Sequence, residues 1–349
     1  GAGQFVLDYD GRNPGKTTLT AVEAGKAYKP DPADDAYHAD VWANLSWSPA
    51  SSAASHNVYF GDDFDSVNEG TGGTSRGNQI DTFYIVGFPG YPYPDGLVPG
   101  TTYYWRIDEV EANGTTIHKG DIWSFTVPPK TAYKPNPADG AEFVNLNAEL
   151  SWTPGFGAVF HTVYFGDNFD TVNAATGGTQ QAATTYNPGP RQSEKVYYWR
   201  VDESDALVTY KGDVWGFTTP GAAGNPQPSN GAANVPMNKT LSWTPAATAS
   251  SHQVYFGTDK DAVRNATAAS PEYKGSKALG SESYDPGKLA WYSTYYWRVD
   301  AAYAAPANPV KGFVWDFTTA DFITVDDFES YNDINPGEPG SNRILEAWA

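Results

Sequence analysis

The sequence predicts an all-β protein built as three tandem sandwich domains. Three observations lead there. A set of short motifs recurs three times in the same order. Each motif alternates apolar and polar residues with a period of two. The composition is rich in turn formers and rings, with 35 Gly, 26 Pro and 15% aromatic residues against 18% charged. An acidic disordered chain would be poor in aromatics.

The repeats run in order along the 349 residues. Pro-x-Pro opens each unit at Pro30-Asp31-Pro32, Pro135-Asn136-Pro137 and Pro226-Gln227-Pro228. Leu-Ser-Trp-Ser/Thr-Pro follows at Leu45 to Pro49, Leu150 to Pro154 and Leu241 to Pro245. His-x-Val-Tyr-Phe-Gly comes next, from His56, His161 and His252. Tyr-Tyr-Trp-Arg-Ile/Val-Asp begins at Tyr103, Tyr197 and Tyr295, and Trp-x-Phe-Thr closes each unit from Trp123, Trp215 and Trp315. Trp105, Trp199 and Trp297 thus recur about 95 residues apart, the size of one sandwich domain rather than of a solenoid repeat. In Tyr103 to Asp108, Tyr103, Trp105 and Ile107 share one face, while Tyr104, Arg106 and Asp108 share the other. That is the alternation of an antiparallel sheet buried on one side. Trp47, Trp105, Trp123, Trp152, Trp199, Trp215, Trp243, Trp297 and Trp315 are the expected core. No stretch carries a helical period of useful length.

These three strands resemble fibronectin type III-like domains, as in tandem copies within large secreted proteins of environmental bacteria. The resemblance covers roughly residues 27–319 and implies seven-stranded, two-sheet sandwiches. The expected layout is an N-terminal extension, 1–26, then repeats at 27–129, 130–220 and 221–319, then an acidic extension, 320–349. In the first extension Phe5, Val6, Leu7 and Tyr9 lie in a single strand, a candidate donor strand. In the last, Phe322, Ile323 and Val325 read as another, resembling the lead-in to a further jelly-roll-like domain. A strand alone seeks a sheet edge, so both arms are candidate assembly contacts for a head-to-tail filament of identical copies.

Composition excludes several function classes. With 22 Lys and Arg against 41 Asp and Glu, the net charge is −19, which argues against nucleic acid and anionic membranes. No apolar run approaches the roughly 20 residues of a membrane span. The absence of Cys removes disulfides and thiolate metal sites.

No catalytic constellation emerges. The three repeated histidines read as strand-edge hydrogen-bonding residues. Gly73-Thr74-Ser75-Arg76-Gly77 matches a nucleophile elbow in letters but lacks the strand–turn–helix setting, and reads as a loop. The pairs Asp108/Glu109 and Asp202/Glu203 point to opposite strand faces, so they suit salt bridges better than two-carboxylate chemistry. Asp62, Asp63 and Asp65 offer oxygens of the kind calcium takes, without EF-hand spacing; no other cofactor is expected. Asn44, Asn113, Asn238 and Asn265 lie in Asn-x-Ser/Thr sequons, and Thr71, Thr74, Thr176 and Thr179 in Gly/Thr loops are O-glycosylation candidates. Tyr91, Tyr93 and Trp291 fall in loops, where rings can stack on sugars. The expected function is a non-enzymatic, extracellular structural protein, a building block of a surface fibre. The alternative is a spacer and carbohydrate-binding segment of a polysaccharide-processing protein.

Overall fold

The computed structural model describes residues 4–9, 17–22, 25–304, 308–321 and 334. The N-terminal extension holds two strands rather than the one expected, β1 (Gln4–Tyr9) and β2 (Thr17–Val22). They pair antiparallel, with Gln4 opposite Val22 and Tyr9 opposite Thr17. The expected donor strand therefore has a partner within its own chain. The Thr-rich stretch that forms β2 has the β-branched residues a strand favours.

The first sandwich comprises β3 (Tyr28–Asp31), β4 (Ala36–Tyr37), β5 (Ala43–Ser48), β6 (Ala53–Gly61), β7 (Ser75–Gln79), β8 (Phe83–Val86), β9 (Thr102–Glu111), β10 (Ile117–His118) and β11 (Ile122–Thr126). One sheet has the order β3-β5-β8, the other β4-β11-β9-β6-β7 with β10 on β9. The second domain repeats this with β12 (Tyr133–Asn136), β13 (Leu150–Thr153), β14 (Phe160–Gly166), β15 (Thr179–Gln181), β16 (Thr185–Tyr186), β17 (Val196–Ser204), β18 (Thr209–Tyr210) and β19 (Val214–Thr218). The third uses β20 (Gly224–Gln227), β21 (Ala232–Val235), β22 (Leu241–Thr244), β23 (Ser251–Gly257), β24 (Tyr273–Ala278), β25 (Ser283–Tyr284), β26 (Thr294–Ala302) and β27 (Val314–Thr319).

Each domain is the expected sandwich with additions to its seven strands: the opening strand is split between sheets in the first and third, and the short β10 and β18 add a strand to the first and second. β3 pairs antiparallel with β5, whereas β4 runs parallel to β11, and β20 and β21 divide in the same way. In the second domain the parallel half shrinks to a bridge between Ala141 and Phe217. Pro32, Pro137 and Pro228, each preceded by a cis peptide, lie between the halves.

Each core is a tryptophan lattice bridging both sheets. Trp105, on β9, packs at 4.7 Å from Trp123 beside it and 6.3 Å from Trp47 of the opposite sheet. The corresponding spacings are 4.7 and 6.2 Å around Trp199, and 4.7 and 6.3 Å around Trp297. All nine core tryptophans are buried. Such rings remove about 150–250 Å² each from water, which lets a domain of this size hold together without disulfides.

Three short helices were not foreseen: α1 (Phe64–Glu69), α2 (Phe169–Ala174) and α3 (Lys260–Asn265). Asp63, Asn168 and Asp259 cap their N-termini by accepting the backbone N–H of Ser66, Thr171 and Ala262. Val67, Val172 and Val263 bury the inner side. Six residues make under two turns, too few for a 3.6-residue period to register.

Candidate functional site

Charged residues that could carry chemistry recur three times, and in each copy they lock elements together. Arg106 lies on the β9 face expected to meet water, yet it is buried because α1 covers it. Its guanidinium is bidentate to Asp108, at 2.8 and 3.0 Å, and donates to the Val67 carbonyl at 2.8 Å and to the Asn68 carbonyl. Those carbonyls are the orphan acceptors at a helix C-terminus, so a strand residue caps the helix. The guanidinium also stacks over Tyr59 at 4.2 Å. Arg200 with Asp202 over Tyr164, and Arg298 with Asp300 over Tyr255, repeat the arrangement at 4.1 and 4.2 Å. Asp108 further accepts the Gly120 N–H at 3.0 Å. A side chain at Gly120 would meet the Ile107 carbonyl at 2.1 Å, and Gly212 and Gly312 are equally confined. The signal missed in the sequence was Arg-x-Asp on one strand face followed by Lys-Gly.

The histidines are interior rather than at strand edges, since β6 lies between β9 and β7. His56 Nδ1 bonds Glu109 Oε2, while Glu109 Oε1 accepts the Ala50 N–H at 3.1 Å. His161 and Glu203 do the same beneath Gly155. Burial pushes the Glu203 carboxyl up, and the His161 bond opposes it. The third repeat has Ala301 in the glutamate position. There His252 turns Nε2 to the Ala246 N–H at 3.1 Å, and its Nδ1 is left buried without a partner. Burial lowers the His252 pKa below 6.5.

Consecutive domains meet through a repeated junction. The residue six beyond the closing tryptophan of the first and of the second domain accepts a backbone N–H from the body of the next: Phe156 donates to Pro129 at 2.7 Å, and Ala247 to Gly221 at 2.8 Å. Phe156 packs against the first domain's core, and Val196 joins the third domain's core from the second. Tyr37 stacks on Tyr133 at 5.1 Å, under Lys134 at 3.9 Å. Glu194 accepts from Thr248 Oγ1 and from Tyr303 Oη, each at 2.9 Å. Burial raises the Tyr303 pKa, with Glu194 adding to it.

Domains two and three are separated by a groove whose central wall is Phe169, with the Arg264 guanidinium 3.7 Å over its ring. One recess, about 780 Å³, is lined by Lys134, Lys211, Lys260 and Arg264. A second, about 290 Å³, is lined by Lys195, Arg264 and Lys311. Asp139, Asp167, Asp170 and Asp213 also line the groove. In a chain of net charge −19 this is a local concentration of cations.

The residues singled out from sequence are dispersed. Asp62, Asp63 and Asp65 form no joint site: Asp63 caps α1, Asp65 stands in its first turn, and Asp62 faces Tyr93. Among the described residues no group of three or more His, Cys, Asp or Glu is placed to hold a metal. Tyr93 is not free for a sugar, because it packs edge-on against Phe60 at 5.6 Å and Tyr103 at 5.1 Å. That burial, with Asp62 nearby, raises its pKa to about 12. Tyr91 and Trp291 are exposed but belong to different domains. Asn44, Asn113, Asn238 and Asn265 are exposed, as are Thr71, Thr176 and Thr179. Thr74 is buried, and its hydroxyl donates to the carbonyls of Thr71 and Ser66 at 2.8 and 3.1 Å, so it does not offer itself to a sugar. Ser75 to Gly77 belong to β7, not to a loop. The side chains of Phe5, Val6, Leu7 and Tyr9 lie outside the described residues, as do Phe322, Ile323 and Val325 entirely.

The strand order and the bridged cores define the class: an all-β chain of tandem fibronectin type III-like, Ig-like sandwiches. No protein-family model matches the chain, and no curated protein matches it. Among solved structures it is similar to the crystal structure of chicken CNTN1 FN1-FN3 domains. Identity there is 13% over 82% of this chain and 96% of that one, with a TM-score of 0.22. No helix among the described residues is long and apolar enough to cross a membrane.

Proposed function

We propose that the chain is a non-enzymatic structural protein working outside the cell, a building block of a surface fibre. One observation carries this reading. The most chemically capable polar side chains, Arg–Asp in all three copies and His–Glu in the first two, are buried in contacts that fix the fold, and the junctions then fix each domain to the next. The N-terminal hairpin is the assembly element, its free edge adding to a sheet edge of the next copy. The exposed sequons carry sugar in a host that glycosylates. Negative-stain imaging and sedimentation of the purified chain test the assembly: long particles are expected, and deletion of residues 1–22 should leave monomers. Particles that stay monomeric at every concentration, or filaments that survive the deletion, overturn it.

The groove favours a second reading, a spacer that also holds an acidic polysaccharide. Lys195, Lys211, Lys260 and Arg264 concentrate positive potential on an otherwise acidic surface, and such clefts collect anions. An affinity gel containing polygalacturonate should retard the chain at low salt, and Lys211→Glu with Lys260→Glu should abolish the retardation. Equal mobility of both proteins would remove this reading.

A further inference from the structure

The first domain carries the same aromatic and acidic face on which the second domain seats the third. Phe64 opens α1 and meets Tyr104 of β9 edge-on at 5.6 Å, as Phe169 opens α2 and meets Tyr198 of β17 at 5.7 Å. Asp34 accepts the Ser124 N–H at 2.8 Å, as Asp139 accepts that of Gly216 at 2.8 Å. Asp65 and Asp170 stand in the first turns of the two helices. In the second domain this face is occupied. Arg264 lies 3.7 Å over the Phe169 ring, Lys260 borders the same recess as Asp139, and Lys311 the same recess as Asp170. The third domain is complementary by substitution: where the second has Phe169, Asn173 and Asp213, it has Lys260, Arg264 and Phe313. The first domain keeps the ring and the acids, and its Phe64 is 48% exposed.

We propose that this face of the first domain binds a basic partner protein through an arginine laid over Phe64, with Asp34 and Asp65 supplying the opposing charge. A guanidinium gains there from the ring face and from charge complementarity, as Arg264 does on the second domain. Two observations select such a partner over a second copy of the chain. Ser124 stands where Gly216 admits Phe313, and a Cβ at that place comes within 2.8 Å of the Phe313 ring, so the third domain of another copy does not fit. The chain is also acidic, at −19, and every arginine among the described residues is already bonded within it.

Titration calorimetry of the whole chain with hexa-arginine and with hexa-lysine, at one ionic strength, tests it. The two peptides carry equal charge, so the general pull of an acidic protein cancels and the difference reports the ring. Hexa-arginine should bind about threefold more tightly, because a guanidinium stacks on a ring better than an ammonium does. Phe64→Ala should remove the difference and Phe64→Trp should widen it. Phe88→Ala, which deletes another exposed ring of the same domain, should leave it unchanged. Equal affinities in the native chain overturn the proposal, as does a preference that survives Phe64→Ala. Self-association that Phe64→Ala abolishes overturns it too, since the occupant is then a second copy. The proposal does not rest on fibre assembly, which deletion of residues 1–22 reports separately.

Discussion

Trp199 shows what one residue contributes. It is fully buried, touches Trp152 and Trp215, and joins the two sheets of the middle domain. Replacement by Ala should cost about 3–5 kcal/mol, read as a lower denaturant midpoint for the middle domain; an unchanged midpoint would contradict the bridging role. His252 gives a pH dependence. Its folded pKa is lowered below 6.5 by burial, so the unfolded chain binds the extra proton first as pH falls. The contribution to third-domain stability is complete above pH 6.5 and is lost progressively below it. Thermal melts between about pH 5 and 8 should show this decline, and His252→Gln, which keeps an acceptor for Ala246, should flatten it. The same slope in both proteins would rule the residue out. The third repeat also shows why the histidine could be read at its position but not in its role. Its partner lies 53 residues away in the first repeat, and replacing that partner by Ala301 keeps the histidine buried while changing what it bonds.

Among the elements, the strands were legible and the helices were not. Tyr103, Trp105 and Ile107 announce their face by period two, whereas α1 spans too few residues to announce any period. Its signal was the Asp63 cap, an aspartate that suits a turn or a cation equally well on sequence alone. Without a helix to cover it, the Arg106 face had to be assigned to water. The interaction that corrects this also predicts the behaviour of α2. Arg200→Met removes the cap on the Val172 and Ala175 carbonyls and leaves Asp202 buried without its cation. That should cost about 3–5 kcal/mol, and adding Asp202→Asn should recover much of it. Amide exchange at residues 169–174 should quicken in the single variant; a helix as protected as before would show that the guanidinium is dispensable.

For the whole molecule, the junctions decide whether three domains behave as three. Glu194 joins the second domain to Thr248 and Tyr303 of the third. Glu194→Ala strands those hydroxyl donors and should cost about 1–3 kcal/mol of coupling. Calorimetry should then resolve separate transitions for the two domains, and a single unchanged transition would show that other contacts suffice. The domain count was legible because the motifs repeat, but the junctions were not, since Glu194 differs from Gly100 and Tyr292 at the same position.

The split opening strand has a mechanical consequence. β4 lies parallel to β11, and β21 to β27, so the first and last strands of a domain are neighbours whose free ends point opposite ways. Tension along the chain slides such a pair lengthwise and strains its hydrogen bonds together, where a hairpin would peel open one bond at a time. Stretched singly between a bead and a surface, the first and third domains should resist up to a sharp rupture. Breaking the β4 contact, by His38→Pro, which removes the N–H donated to the Thr126 carbonyl at 2.9 Å, should lower the rupture force of the first domain alone.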